Sequence, residues 1–216
     1  MHSYLIIGMG KFGRYLTRSL AKMGHEIMIA DRNEEVIARM TEYVMSARVA
    51  DCTIPEALAS FGINHFDSCI VCIGDNFQAS LEITDMLRDM GARHIVSMAA
   101  TDTQAKFLLK NGADDVIFPE RDTAERIAVS LGHDSIFDYF RLSGEYGIYE
   151  VVTPARWQRH TILSLNVRSR FRVTILAIKP QDRPTYIPEP DYTFNANDHL
   201  ILMGRPEDVA RIVGHD

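Results

Sequence analysis

No apolar stretch in this sequence exceeds the length of a strand, whereas a helix crossing a bilayer needs about 20 such residues. The sequence therefore predicts no transmembrane segment. A strand-like run starts at Tyr4, which leaves no room for a signal peptide. Cysteine is scarce. Cys52, Cys69 and Cys72 are the three present, too few for a disulfide framework, and they predict a reducing, cytoplasmic setting. Basic runs are missing as well. With 23 Lys and Arg against 29 Asp and Glu, the chain carries a net charge of −6. No positive stripe is available to track a phosphate backbone, which argues against nucleic acid as a partner. What is present is ordinary for a globular protein: 46% hydrophobic and 24% charged residues, in a length that suits one or two domains.

Catalytic constellations are also absent. There is no Tyr-x-x-x-Lys pair, no His-x-x-x-His, no Cys–His zinc spacing, no Gly-x-Ser-x-Gly elbow and no Walker A lysine. The eight histidines are scattered. Cys69-x-x-Cys72 invites a redox or zinc reading. It lies in a strand-like apolar run, however, where a spacing of three puts the two sulfurs on opposite faces.

The informative stretch is at the start. Tyr4 to Ile7 reads as a buried strand, Gly8-Met9-Gly10-Lys11-Phe12-Gly13 as a Gly-x-Gly-x-x-Gly turn, and Phe12 to Met23 as a helix closed by Gly24. Such a turn brings backbone close to a pyrophosphate and presents the helix N-terminus to it. A second strand, Glu26 to Ala30, ends at Asp31, which is placed to accept hydrogen bonds from a ribose diol. Alternatively, Asp31 caps the helical segment from Asn33 to Tyr43. The adjacent Arg32 weakens the exclusion of a 2′-phosphate that Asp31 would impose.

Further units follow in the same rhythm. A third strand at 47–50 leads to Asp51-Cys52-Thr53, where Asp51 or Thr53 either caps the helix Pro55 to Phe61 or lines an adenine edge. Ser68 to Gly74 is a fourth strand, followed by a helix from Asn76 to Met90. Strand His94 to Ala99, helix Thr103 to Asn111 and strand Asp115 to Pro119 complete six strands alternating with helices. Beyond them, Thr123 to His133 is helical, Ser135 to Arg141 suggests a second short helix, and residues 143–147 read as a linker. The remainder predicts strands at 148–153, 171–178 and 199–203, helices at 161–165 and 206–213, and a proline-rich stretch at 180–190 that cannot be regular helix. The predicted fold is α/β: a Rossmann-like doubly wound sheet over residues 1–122, connecting helices over 123–143, and a small α+β module over 144–216. A module that small gains stability by pairing with a second copy.

Over nearly its whole length the sequence resembles the RCK proteins of the KtrA/TrkA kind, regulatory subunits of potassium transporters and channels. The resemblance rests on the glycine turn, Asp31, Asp51-Cys52-Thr53, Ile73-Gly74-Asp75-Asn76-Phe77-Gln78-Ala79-Ser80, and Gly112-Ala113-Asp114-Asp115-Val116-Ile117-Phe118-Pro119-Glu120. A single unit of this length looks like the KtrA type. The resemblance implies a cytoplasmic regulator at the inner face of the cell membrane, without enzyme activity, in a homo-oligomer from dimer to octameric ring beneath a membrane potassium-translocating subunit. It implies ATP, ADP or NAD(H) bound by Gly8, Met9, Gly10, Lys11, Phe12, Gly13, Arg14, Asp31, Arg32, Asp51, Cys52, Ile73, Gly74, Asn76 and Glu120. Lys11 or Arg14 would approach the distal phosphates. Many relatives carry arginine where Lys11 stands, and lysine keeps that charge without bidentate geometry. Glu120 is implied to bind a cation at a dimer interface, although a carboxylate at a helix N-terminus needs no cation. Leu163, Val167, Arg168 and Pro188 are implied to bind a second ligand, cyclic di-AMP in some members, or else belong to core and dimer packing. A small NAD(P)-dependent oxidoreductase and a nucleotide-dependent redox sensor remain alternatives.

Overall fold

Six short strands alternate with helices in the first half of the chain and lie side by side in one sheet. A computed structural model describes residues 1–133, 135–143, 145–181 and 184–214. Strands β1 (Ser3–Ile7), β2 (Glu26–Asp31), β3 (Ser46–Val49), β4 (Ser68–Val71), β5 (Ile95–Met98) and β6 (Asp115–Ile117) pair in the order β3-β2-β1-β4-β5-β6, parallel throughout. Both faces of such a sheet are covered, so its strands are continuously apolar. Along β1, Leu5 and Ile7 enter one core cluster with Cys69 and Val71 of β4. Ile6 enters the opposite cluster with Ile70 and Cys72. The two β4-region cysteines thus sit on opposite faces of the sheet, and both are free thiols. Burial pushes each up to about 12, well outside the reactive range.

Helices α1 (Lys11–Lys22), α2 (Glu34–Ala38), α3 (Pro55–Ala59), α4 (Phe77–Asp89) and α5 (Asp102–Lys110) connect the strands. The helix predicted over Asn33 to Tyr43 is shorter than its apolar spacing suggests. It stops at Ala38 and resumes as a single 3₁₀ turn at Thr41–Tyr43. The chain reverses between β1 and β4: connections leave β1 toward β2 on one side, and β4 continues on the other. In an open α/β sheet this switch point is where a crevice opens beyond the strand ends.

The chain divides into two compact units, Met1–Arg121 and Asp122–Asp216, and the division falls within helix α6 (Pro119–Gly132). The second unit is a four-stranded antiparallel sheet of β7 (Ile136–Ser143), β8 (Tyr146–Val152), β9 (Thr174–Lys179) and β10 (His199–Gly204), ordered β7-β8-β10-β9. Helices α7 (Ile162–Leu165), α8 (Val167–Phe171) and α9 (Pro206–Val213) accompany it. Trp157 and Phe194 are wholly buried at its core with Leu200, Leu202, Val209 and Ile212.

Two expectations are corrected here. Ser135 to Arg141 is not a helix: residues from Ile136 onward form β7, paired antiparallel with β8. Phe137, Tyr139 and Phe140 are aromatic residues that favour a pleated surface over a helix. Residues 143–147 are accordingly no linker. Ser143 of β7 pairs with Tyr146 of β8, so both belong to the second unit's sheet, while Gly144 lies outside the described residues. The connecting segment expected at 123–143 is therefore one helix, α6, followed by a strand. Among the described residues, no helix is long and apolar enough to cross a membrane.

Candidate functional site

The turn after β1 is shaped by three glycines with different local surroundings. Gly8 holds φ at +95°, a conformation that side chains with a Cβ rarely adopt. A Cβ there would also lie 2.9 Å from the Cys72 carbonyl oxygen. Gly13 lies on α1 where it meets the turn, and a Cβ would run into the carbonyl oxygen of Gly8. At Gly10 a Cβ would meet nothing within 4 Å. The two outer glycines are required by the fold. The central one leaves an open space directly before the helix.

Gly10 is also the N-cap of α1. No side chain caps this end, and no acidic residue occupies its first turn. Its amides and the positive end of the helix dipole suit an anion. Lys11 and Arg14 lie in that first turn, Lys11 exposed and Arg14 half-buried. The open cradle, the uncapped amides and the nearby cations fit a pyrophosphate. Phe12 is half-buried against the core of this face, so its contribution to such a site is its backbone.

Asp31, at the end of β2, faces the turn. Its Oδ2 accepts from the Met9 backbone N–H at 2.6 Å, and its Oδ1 accepts from the Asn33 N–H at 2.8 Å. Asn33 in turn caps α2, accepting from the Val36 N–H. Asp31 therefore sets the entry to α2 through Asn33 rather than capping the helix itself. Each carboxylate oxygen retains acceptor capacity for a ribose hydroxyl. Met9 is buried, and its N–H is engaged by Asp31.

Asp51 is not a helix cap. Its Oδ1 accepts from the Thr53 N–H at 3.0 Å and the Thr53 hydroxyl at 2.6 Å, while α3 begins with Ile54 at its N-cap and no capping side chain. The hydrogen bonds from Thr53 hold the Asp51 carboxyl below the usual carboxylate range, with a smaller contribution from the charge of Arg32. Arg32 and Asp51 are both exposed. Cys52 is a core residue, and burial pushes its thiol up to about 12, so its side chain is not presented to a ligand.

Beyond β4, the Ile73 Cγ1 would lie 3.0 Å from a Cβ at Gly8, which places Ile73 beside the turn. Gly74 is exposed, and Asn76 caps α4 by accepting from the Ala79 N–H at 3.1 Å. Glu120 is exposed in the first turn of α6. Among the described residues no three His, Cys, Asp or Glu side chains converge as a metal site.

Of the residues implied for a second ligand, Leu163 is 71% exposed, whereas Val167 is 3% exposed and packs in the core of the second unit. Val167 thus follows the packing alternative given for it above. Arg168 is exposed and Pro188 half-buried.

Sequence reasoning missed that Asn33 caps α2, and it named Thr53 as a cap or adenine-edge residue where the structure has it donating to Asp51. Their signal was readable: an Asp two residues before each is the spacing of an Asx turn. A further chain joins the Ser68 hydroxyl to His94 Nδ1 at 3.0 Å and His94 Nε2 to Asp115 at 2.9 Å. It lies at the N-terminal ends of β4, β5 and β6, opposite the end where open α/β sheets bind ligands. It reads as a staple for the strand starts.

Comparison with known proteins agrees with this architecture. The TrkA-N domain matches residues 4–119 and the TrkA-C domain residues 147–213. The Ktr system potassium uptake protein A of Bacillus subtilis is 36% identical over 96% of this chain and 94% of its own length. The Ktr system potassium uptake protein C of the same organism is 33% identical over the same shares. Among solved structures, the GsuK channel bound to NAD superposes with a TM-score of 0.69 at 18% identity, over 99% of this chain and 40% of that one. This chain thus spans less than half of that channel subunit, and the likeness is one of fold. With both domain matches in order and a relative aligned almost end to end, the chain belongs to the KtrA/TrkA family of RCK proteins.

Proposed function

We propose that this protein is a nucleotide-sensing regulatory subunit that controls potassium flux through a separate membrane protein. The observation that carries the reading is the contrast at the glycine turn: closed space at Gly8 and Gly13, open space at Gly10, and an uncapped helix start beside it. The phosphates of NAD(H), ATP or ADP would lie against the α1 amides with Lys11 and Arg14 near, and Asp31 would take the ribose hydroxyls. The bound nucleotide supplies charge and shape at this turn. Asp31 hydrogen-bonds both the turn, through Met9, and the start of α2, through Asn33. A ligand competing for that carboxylate therefore bears on both elements. Ligands that differ in their distal groups shift the protein between conformations by their difference in affinity for each.

The names of the relatives, potassium uptake proteins A and C of the Ktr system, support a potassium-translocating membrane partner and a location at the inner face of the membrane. Copies of the chain assemble as a dimer or a larger ring. A cation at Glu120 would draw its further ligands from a second copy. The output is conformational and not hydride transfer.

The test has three readouts on the purified full chain. Light scattering with and without nucleotide reads assembly, and a strict monomer in both would contradict the ring. Co-purification reads the partner: recovery of a membrane protein with potassium-filter segments supports the proposal. Steady NADH consumption with carbonyl substrates would replace it with an oxidoreductase.

A further inference from the structure

One row of the second unit's sheet holds charge that the glycine turn does not use. Val152 on β8, His199 on β10 and Lys179 on β9 lie directly opposite one another, so they share one face of the sheet. Glu150 stands two residues before Val152 and joins them on that face. Their neighbours in sequence, Val151, Leu200 and Ile178, are fully buried in the core with residues of α7, α8 and α9. The charged row is therefore on the sheet face turned away from those helices.

The row is built around one carboxylate oxygen. Glu150 Oε1 accepts from Lys179 Nζ at 2.8 Å and lies 2.7 Å from His199 Nδ1. The Phe137 ring packs on the imidazole at 4.2 Å. With Nδ1–H donating to Glu150, a neutral His199 presents Nε2 as an acceptor. That nitrogen has no hydrogen-bond partner among the described residues. Protonation turns it into a donor. Protonation also changes the charge of the cluster. Burial works against the charge on Glu150, but Lys179 and His199 outweigh it and hold the carboxyl below its usual range. Glu150 thus stays ionised where an imidazole titrates. Asp138, which feels the charge of Lys179, is matched by both arms of Arg126 on α6 at 2.7 Å. Asp198, next to His199 in the chain, turns instead to Tyr192 and Asn195. A neutral His199 leaves the cluster balanced, and a protonated one gives it a single surplus positive charge.

A cavity of about 390 Å³ opens at this row, within the size range of small-molecule sites. Lys179, His199, Gln181 and Asn197 supply polar walls, and Val152 and Ala196 apolar ones. A single surplus charge matches a monoanion, because a dianion would leave excess negative charge beside Glu150. The apolar walls suit a short aliphatic tail.

We propose that this cavity binds a short aliphatic monocarboxylate when His199 is protonated, with the carboxylate on Lys179 and His199 Nε2 and the tail against Val152 and Ala196. The test is equilibrium dialysis of the full chain against radiolabelled butyrate, acetate and inorganic phosphate at pH 6 and pH 8. Saturable butyrate binding is expected at pH 6 and should be at least about tenfold weaker at pH 8, since that interval spans the ordinary imidazole range. Each buried methylene is worth about fourfold, so butyrate should bind at least about fourfold more tightly than acetate. His199→Gln keeps a polar side chain that cannot gain charge. It should bind butyrate at least about tenfold more weakly at pH 6, and equally at both pH values. Ala196→Leu fills the cavity from an exposed turn and leaves the charges in place. It should melt like the parent and lose binding at pH 6 by at least about tenfold. Absence of saturable butyrate binding at pH 6, equal binding by the parent at both pH values, or tighter binding of phosphate than of butyrate would overturn the proposal. Undiminished binding in a folded His199→Gln variant, or in Ala196→Leu, would overturn it as well.

Discussion

Asp31 Oδ2 accepts a hydrogen bond from the Met9 backbone N–H at 2.6 Å, so the carboxylate ending β2 holds the glycine turn that follows β1. The same side chain accepts from Asn33 N–H at 2.8 Å. One residue therefore shapes the phosphate cradle and stands where a ribose would bind. Asp31→Ala removes two charge-assisted acceptors, and each backbone N–H left behind must find water. We expect a loss of about 1–3 kcal/mol in stability, read by urea denaturation. A stability equal to that of the parent would show that the turn does not depend on Asp31.

Gly13 and Gly10 should separate in opposite directions. Gly13→Ala forces a methyl into the Gly8 carbonyl, and backbone cannot yield as a flexible side chain can. A destabilisation of at least about 2 kcal/mol is expected. Gly10→Ala places its methyl in open space and should change stability by less than about 0.5 kcal/mol. It should nonetheless weaken nucleotide binding tenfold or more, because the methyl fills the space a pyrophosphate needs. Thermal melts and calorimetry on the two variants check this. A Gly10→Ala variant that binds nucleotide like the parent would move the phosphate site elsewhere.

The three thiols should be silent in the folded protein. Burial pushes Cys52, Cys69 and Cys72 each up to about 12, so little thiolate exists at neutral pH. Reaction with an aromatic disulfide reagent is expected at the rate of unfolding, and all three should react in denaturant. Rapid native labelling, or a Cys69–Cys72 disulfide on mild oxidation, would revive a redox reading.

A pH dependence follows from Glu150 in the second unit. It accepts from Lys179 at 2.8 Å and from His199 at 2.7 Å, linking β8, β9 and β10. Burial pushes its carboxyl up, but these two partners outweigh burial and hold it below the usual 4.5. A folded value below the unfolded one gives stability that is present above about 4.5 and is lost as pH falls through the folded value. Urea melts of the parent should thus weaken on acidification, and Glu150→Gln should flatten that acid limb. Parallel acid limbs in the two proteins would remove Glu150 from the account.

The first unit was legible in the sequence for a physical reason. Strands buried on both faces leave continuous apolar runs, and a glycine turn followed by an acidic strand end leaves a fixed spacing. Even the opposed faces of Cys69 and Cys72 followed from strand alternation. The second unit was less legible. Helix α8 is five residues long, with Asn166 and Arg172 at its two ends in the left-handed region, so it shows no helical periodicity. Strand β7 follows α6 closely, and its apolar residues suit either structure until β8 is there to pair with it. At the site, Asp51 misled because an Asp before a proline-led helix resembles a cap, while its acceptors were taken by Thr53 two residues on.

Titration calorimetry of the full chain with NADH, ATP and ADP, repeated on Gly10→Ala, tests the central claim most directly. The account predicts saturable binding of nucleotide to the parent, and at least a tenfold loss in a variant that melts at the parent temperature. Absence of binding by all three nucleotides, or undiminished binding in the folded Gly10→Ala variant, would contradict it.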